Sequence, residues 1–174
     1  MVTRVLVVVG GLFVLAIVAA IAISFLGNAG ASFNKGAVLS VAQDQTEIAR
    51  LSTTGAQDGV SDRVKNFSIT TQLSMKSEQA EFQKYLASAG YKIDAKQLLL
   101  KQDAAASTAL ADAKSSSTFD TAYTALMQKK FQTYQADLKA AYEGASEKAK
   151  QQLSARYDAA NLLLLLLRST STTN

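Results

Sequence analysis

Carboxylates are the one class of side chain here with enough reactivity and enough copies to build a site. There are five glutamates: Glu47, Glu78, Glu81, Glu143 and Glu147. Two-metal sites in helical bundles draw a Glu from each of two helices and a Glu-x-x-His from each of two others. The chain contains no histidine, so none of the five has that partner. Glu47 stands one step from Ile48 on an apolar stripe, and Glu78 falls three after Met75. At helical spacing the two can face each other inside a hairpin. The plainer reading makes them boundary or surface carboxylates paired with Lys or Arg. We expect no catalytic residue, no metal and no cofactor, and keep Glu47 and Glu78 as interior polar candidates.

The missing residue types exclude more. Without histidine the commonest general base and metal ligand are gone. Without cysteine there is no disulfide, thiolate nucleophile, iron–sulfur cluster or lipid-bearing thiol. The 18 basic and 14 acidic residues are interspersed and leave a net charge of +4. No dense Lys/Arg run carries interleaved aromatics, so no nucleic-acid partner is expected.

Two apolar features stand out. Phe119, Tyr123, Phe131, Tyr134 and Tyr142 crowd one helical stripe, with Phe82 and Tyr85 on another. The expectation is core packing with the tyrosine hydroxyls at the wet edge. Leu162, Leu163, Leu164, Leu165, Leu166 and Leu167 form an unbroken run before Arg168. Six residues span only about 9 Å and cannot cross a bilayer. Most of the run should be core, with the remainder an exposed patch for a partner or a membrane surface.

The longest apolar run is at the other end. Val5 to Leu26 holds 22 residues without a charge. A bilayer core of ~30 Å needs roughly 20 apolar residues, so this run is long enough to span. It exceeds the apolar core of a cleaved secretory signal, about 7–15 residues, although Ala29-Gly30-Ala31 would suit cleavage. An uncleaved signal-anchor is the favoured reading, and either one exports the rest. Arg4 precedes the segment and the next positive residue is Lys35, a bias that puts the N-terminus inside. Adjacent Gly10-Gly11 lacks the spacing of a helix-pairing motif.

The remainder has the helical period and no proline. We read residues 1–27 as anchor, 28–36 as linker, 37–167 as a helical bundle and 168–174 as a polar tail. Val38, Val41, Gln45 and Ile48 mark a first helix, with Gly55 and Gly59 near its end. Ser61-Asp62 opens a second, whose stripe runs Val60, Val64, Phe67, Thr71, Met75, Phe82 and Leu86, to Gly90. A Leu/Ala-rich stretch with Leu98, Leu99, Ala106 and Leu110 follows, and the polar run from Lys114 to Thr118 breaks it. Thr118 suits an N-cap for the next helix, with Asp120 in its first turn. Gly144 ends that helix, and Ser146 starts the last, with Ala149, Leu153, Tyr157, Ala160, Leu164 and Leu167 on one face. The fold expected is all-α: two antiparallel hairpins joined by a helical crossover, the ferritin-like form of four-helix bundle.

Phe119-Asp120-Thr121-Ala122-Tyr123-Thr124-Ala125-Leu126-Met127 resembles the FDxAYxxxM motif of a bacterial ferritin-like family of unknown function, whose members are labelled exported or outer membrane proteins. Gln45 to Leu51 is similar to that family's early EIxxGxLA segment, and Val64-Lys65-Asn66-Phe67 to its VKxFA. The series covers Val38 to Leu166. The resemblance implies an exported ferritin-like bundle, but the family's histidines are replaced. Ser74-Met75 and Lys130-Phe131 stand where it has Asp-His pairs, and Asp158 to Asn161 where a further histidine is common.

The function expected is that of a membrane-anchored, extracytoplasmic helical bundle without catalysis, serving binding, scaffolding or another envelope role. Its partners would be the bilayer, through Val5 to Leu26, and an envelope protein or a second copy. Two alternatives stand beside it. A ferritin-like metalloprotein or oxidase would need the missing ligands. A pilin-like filament subunit would assemble through the N-terminal helix, which usually carries an early glutamate; here no acidic residue precedes Asp44.

Overall fold

A computed structural model describes residues 32–171. The anchor reading of Val5–Leu26 and the first part of the linker lie outside the described residues. Among the described residues, no helix is long and apolar enough to cross a membrane.

The chain is all-α, with six helices in the described region: α1 (Lys35–Asp58), α2 (Asp62–Ser88), α3 (Ala95–Leu98), α4 (Ala104–Ser115), α5 (Phe119–Tyr142) and α6 (Glu147–Ser171). A single 3-10 turn, Leu99–Lys101, separates α3 from α4. Polar side chains set the starts. Asn34 accepts from the amides of Gly36 and Ala37, Ser61 from Val64, and Asp103 from Ala106. Each satisfies amide groups that the first helical turn leaves open. Asp94 and Gln97 form a reciprocal capping box on α3. Gly90 and Gly144 take positive φ values of 80° and 74°, which suit glycine in the links after α2 and α5.

Hydrogen bonds at the two ends fix the topology. At one end the amides of Val60 and Ser61, between α1 and α2, both donate to the Asp120 carboxylate at the start of α5, at 2.8 Å each. At the other, Ser146 N donates to Ser32 O at 2.9 Å, and Ser32 N donates to Ser146 Oγ at 3.2 Å. Thus α1 runs antiparallel to α5 and parallel to α6. The four long helices close a ring in the order α1, α2, α6, α5, each antiparallel to its neighbours. The segment from α3 to α4 carries the chain back along the bundle, packed on α1 and α5.

One core fills the ring. It includes Val41, Ile48 and Leu51 of α1, Phe67, Met75 and Phe82 of α2, Met127 and Phe131 of α5, and Leu153, Leu163 and Leu167 of α6. Three stripe positions differ from the sequence expectation. Val60 is 73% exposed because it lies in the link before α2, not on that helix. In α5 the buried face ends on Ala141, and Tyr142 is exposed. Each step of four overshoots a helical turn by about 40°, so a stripe built on such steps rotates away from the core. Leu99 is exposed because the crossover turns there in a 3-10 conformation. Thr118 occupies the N-cap of α5 without capping it; its hydroxyl contacts Ala113 O at 3.4 Å and Ser116 Oγ at 3.0 Å. The last helix runs past Arg168 to Ser171, into the segment expected to be a tail.

Candidate functional site

The centre of the bundle is polar. Arg156, from α6, is fully buried. Its Nη1 donates to Gln152 O at 2.7 Å and to Gln152 Oε1 at 3.0 Å, and its Nη2 to Glu78 O on α2 at 3.2 Å. The guanidinium lies 4.5 Å from the centroid of the Phe82 ring, a cation–π placement. Glu78 is buried beside it, with Oε1 accepting from Ser74 Oγ at 2.7 Å. On the opposite wall, Gln45 of α1 donates to the hydroxyl of Tyr134 on α5 at 2.9 Å. All four long helices therefore contribute to one interior polar layer.

Burial sets its electrostatics. It pushes the Glu78 carboxyl up to about 7, against the opposing pull of Ser74 and Arg156. It raises Tyr134 well above the ordinary phenol value. Burial also lowers the Arg156 guanidinium, although Tyr134 and Glu78 favour its charge. Glu78 Oε2, Glu81 Oε2, Tyr85 Oη, Arg156 Nε, Gln45 Oε1 and Thr71 Oγ1 are buried without a protein partner. Buried polar atoms of this kind are ordinarily satisfied by internal water.

A second cluster ties the crossover to α1 and α5. Lys101 bridges Asp44 of α1, at 2.9 Å, and Asp137 of α5, at 2.5 Å. Asp103 pairs with Lys130 at 2.9 Å. Glu47 holds Arg50 through both oxygens, at 2.7 and 2.8 Å, and accepts from Asp103 N at 3.3 Å. Arg50 in turn reaches Ser107 Oγ at 2.9 Å. Asp44, Glu47, Lys101, Asp103 and Lys130 line an open cleft of about 480 Å³ together with Ile48, Leu100, Leu126 and Lys129. Burial, then the hydrogen bond to Asp137, raises the Asp44 carboxyl to about 7 despite Lys101.

Glu47 and Glu78 are both buried, but they serve different places. Glu47 faces the crossover, where its partners are Arg50 and Asp103; Glu78 belongs to the layer with Ser74 and Arg156. Among the described residues, no group of three or more Asp or Glu side chains is placed to hold a metal ion. Within the leucine run, Leu163, Leu164 and Leu167 are buried, Leu162 is partly buried, and Leu165 and Leu166 are exposed. The hydroxyls of Tyr85, Tyr123 and Tyr134 turn inward, contrary to the wet-edge expectation, whereas Tyr142 is exposed. Tyr123, fully buried, receives a 2.9 Å hydrogen bond from Ser68 Oγ, and burial pushes its hydroxyl up to about 12.

Sequence reasoning missed Arg156, Gln152 and the Lys101 bridge. A signal for Arg156 existed: it falls between Leu153 and Ala160 at steps of three and four, on the apolar face. The Lys101 bridge joins residues far apart in sequence and left no local pattern. No protein family, curated protein or solved structure matches the chain.

Proposed function

We propose that the chain is a membrane-anchored, extracytoplasmic helical bundle that works without catalysis, as a binding or scaffolding element of the cell envelope. Val5–Leu26 is the anchor, with the N-terminus inside and the bundle outside. The observation that carries the non-catalytic reading is the way interior charges are used. Glu47, Asp44, Asp103 and Lys101 share an open cleft, but each is committed to an ion pair or hydrogen bond that ties the crossover to α1 or α5, and Arg156 ties α6 to α2. The parallel course of α2 and α5 across a helical crossover supports the ferritin-like form of the bundle.

The exposed pair Leu165 and Leu166 is the proposed contact for an envelope protein or a second copy. A helix rises 1.5 Å per residue, so Leu165 stands about 27 Å along α6 from its start at Glu147. That start adjoins Ser32, where the anchor segment joins the bundle. In an upright bundle the pair stands at the end far from the membrane, within reach of a protein partner.

Protease treatment of intact cells tests the placement: the bundle should be digested and an N-terminal stub protected. Crosslinking in intact cells, followed by identification of the attached proteins, tests the scaffolding role. A bundle protected in intact cells and digested only after lysis would refute the placement.

A further inference from the structure

The two ends of the bundle differ in charge. One end comprises the start of α1, the α2–α3 link with α3, the last turn of α5 and the first turn of α6. It carries Lys35, Lys92, Lys96, Lys139, Lys148 and Lys150 against Asp94, Glu143 and Glu147. At the far end, Arg63, Lys65, Lys114 and Arg168 balance Asp58, Asp62, Asp112 and Asp120. Helix dipoles do not offset this difference, because each end presents two N-termini and two C-termini of the long helices. Lys35, Lys92, Lys96 and Lys139 are exposed. Contacts hold the basic end together: Lys35 lies over the Tyr91 ring at 5.6 Å, and Lys150 over Tyr142 at 5.5 Å.

The same end receives the chain from residue 31, since Ser32 is bonded to Ser146 there. Six residue steps separate Leu26 from Ser32. Whatever their conformation, they reach at most ~20 Å. An anchor ending at Leu26 thus keeps this end within ~20 Å of the surface, close enough for the lysines to reach the headgroup field, which extends about one Debye length. We propose that this basic end docks on anionic lipid headgroups and holds the bundle upright against the membrane that anchors it. The proposal deepens the anchor reading and rests on it for the tethered geometry.

The test uses the full chain, which has no native cysteine, with Ala87→Cys carrying a fluorescent donor near the basic end and Ser115→Cys at the far end as control. Vesicles contain phosphatidylcholine alone or with phosphatidylglycerol, plus a headgroup acceptor. Transfer from position 87 should rise about twofold in anionic vesicles and return to the neutral value in high salt, as screening requires. Transfer from position 115 should stay low. Lys92→Glu with Lys96→Glu should abolish the rise, whereas the matched change at the far end, Arg63→Glu with Lys65→Glu, should leave it. Chain that floats with both vesicle types but shows equal transfer from position 87 overturns docking and leaves the anchor reading standing. Flotation with anionic vesicles alone overturns the anchor and retains docking. Flotation with neither overturns both.

Discussion

Arg156 donates to the main-chain oxygen of Glu78 at 3.2 Å, while the Glu78 carboxylate takes its hydrogen bond from Ser74. The buried cation thus grips the backbone of α2 and leaves the neighbouring acid free to hold a proton. Removing the guanidinium breaks the α2–α6 link and leaves the main-chain oxygen of Glu78 without that donor. Arg156→Met should cost about 1–3 kcal/mol, the range for leaving buried acceptors unpaired, since it strips the bonds to Gln152 and to Glu78 O. Combining it with Glu78→Met should recover little of that loss, because the unpaired acceptor is the main-chain oxygen of residue 78. Urea denaturation of the single and double variants measures the difference.

Glu78 should make stability fall as pH rises. Its folded pKa of about 7 lies above the ordinary 4.5, so the native state retains a proton that the unfolded chain loses. The contribution is complete below the unfolded value and is lost between there and about pH 7, on the order of 3 kcal/mol. Asp44, also raised to about 7, acts in the same direction. Glu78→Gln should flatten the dependence and be the more stable protein at pH 8. Thermal melts from pH 5 to pH 8 read this directly.

Gly55 should not accept a methyl group. It lies inside α1, where a Cβ would collide with the ring of Tyr123 and the hydroxyl of Ser68. Gly55→Ala should destabilise by about 1–3 kcal/mol through overpacking, despite alanine's better helix propensity. Gly36→Ala, whose Cβ would meet only Asn34 Oδ1 at an ordinary 3.4 Å, is the control. Equal stability of the two variants would contradict the packing described.

Asp120 should matter more as a carboxylate than as a first-turn acid. Burial opposes its charge, but hydrogen bonds from Ser61 and Val60 outweigh that and hold its carboxyl below the usual value. Asp120→Asn keeps the shape yet turns an amide group towards a backbone N–H. A loss of about 1–2 kcal/mol is expected, in the range for hydrogen bonds to a charged group. Because the folded pKa is lowered, this stabilisation is present above the unfolded value and disappears as pH falls through the folded one. Denaturation at pH 7 and pH 2 distinguishes the two states.

The leucine run divides into two behaviours. Leu163→Ala should lose about 2–5 kcal/mol as a core truncation. Leu165→Ser, at a position 60% exposed, should stay within about 0.5 kcal/mol. It should nevertheless reduce crosslinking in cells if this face meets a partner. Stability curves paired with crosslinking yields separate the two roles.

The helices were legible because their apolar spacing repeats locally; Phe119, Tyr123, Met127, Phe131, Tyr134 and Leu138 are all buried on α5 as the steps require. Their ends were legible where glycine or a capping side chain marks them, as at Ser61 and Gly90. Thr118 shows the limit: the residue type suits a cap, but nearby backbone oxygen competes for the hydroxyl. Gly55 was read as punctuation, whereas the bundle uses it for close approach. The interior layer was half visible. Glu78 fell on the stripe, yet its partner Arg156 comes from 78 residues away and is assigned only by three-dimensional packing. Spacing likewise brought Glu47 inside but could not show that Arg50 and the crossover claim it.

The parallel course of α1 and α6 has a mechanical consequence. The chain enters the bundle at Ser32 and its last helix finishes at the opposite end. A pull between those two points runs lengthwise. It must slide every turn of α1 past α2 and α5 at once, against the Ser32–Ser146 clasp, and cannot peel one turn at a time. Loaded in shear, the bundle would resist tension along this axis better than force applied across it.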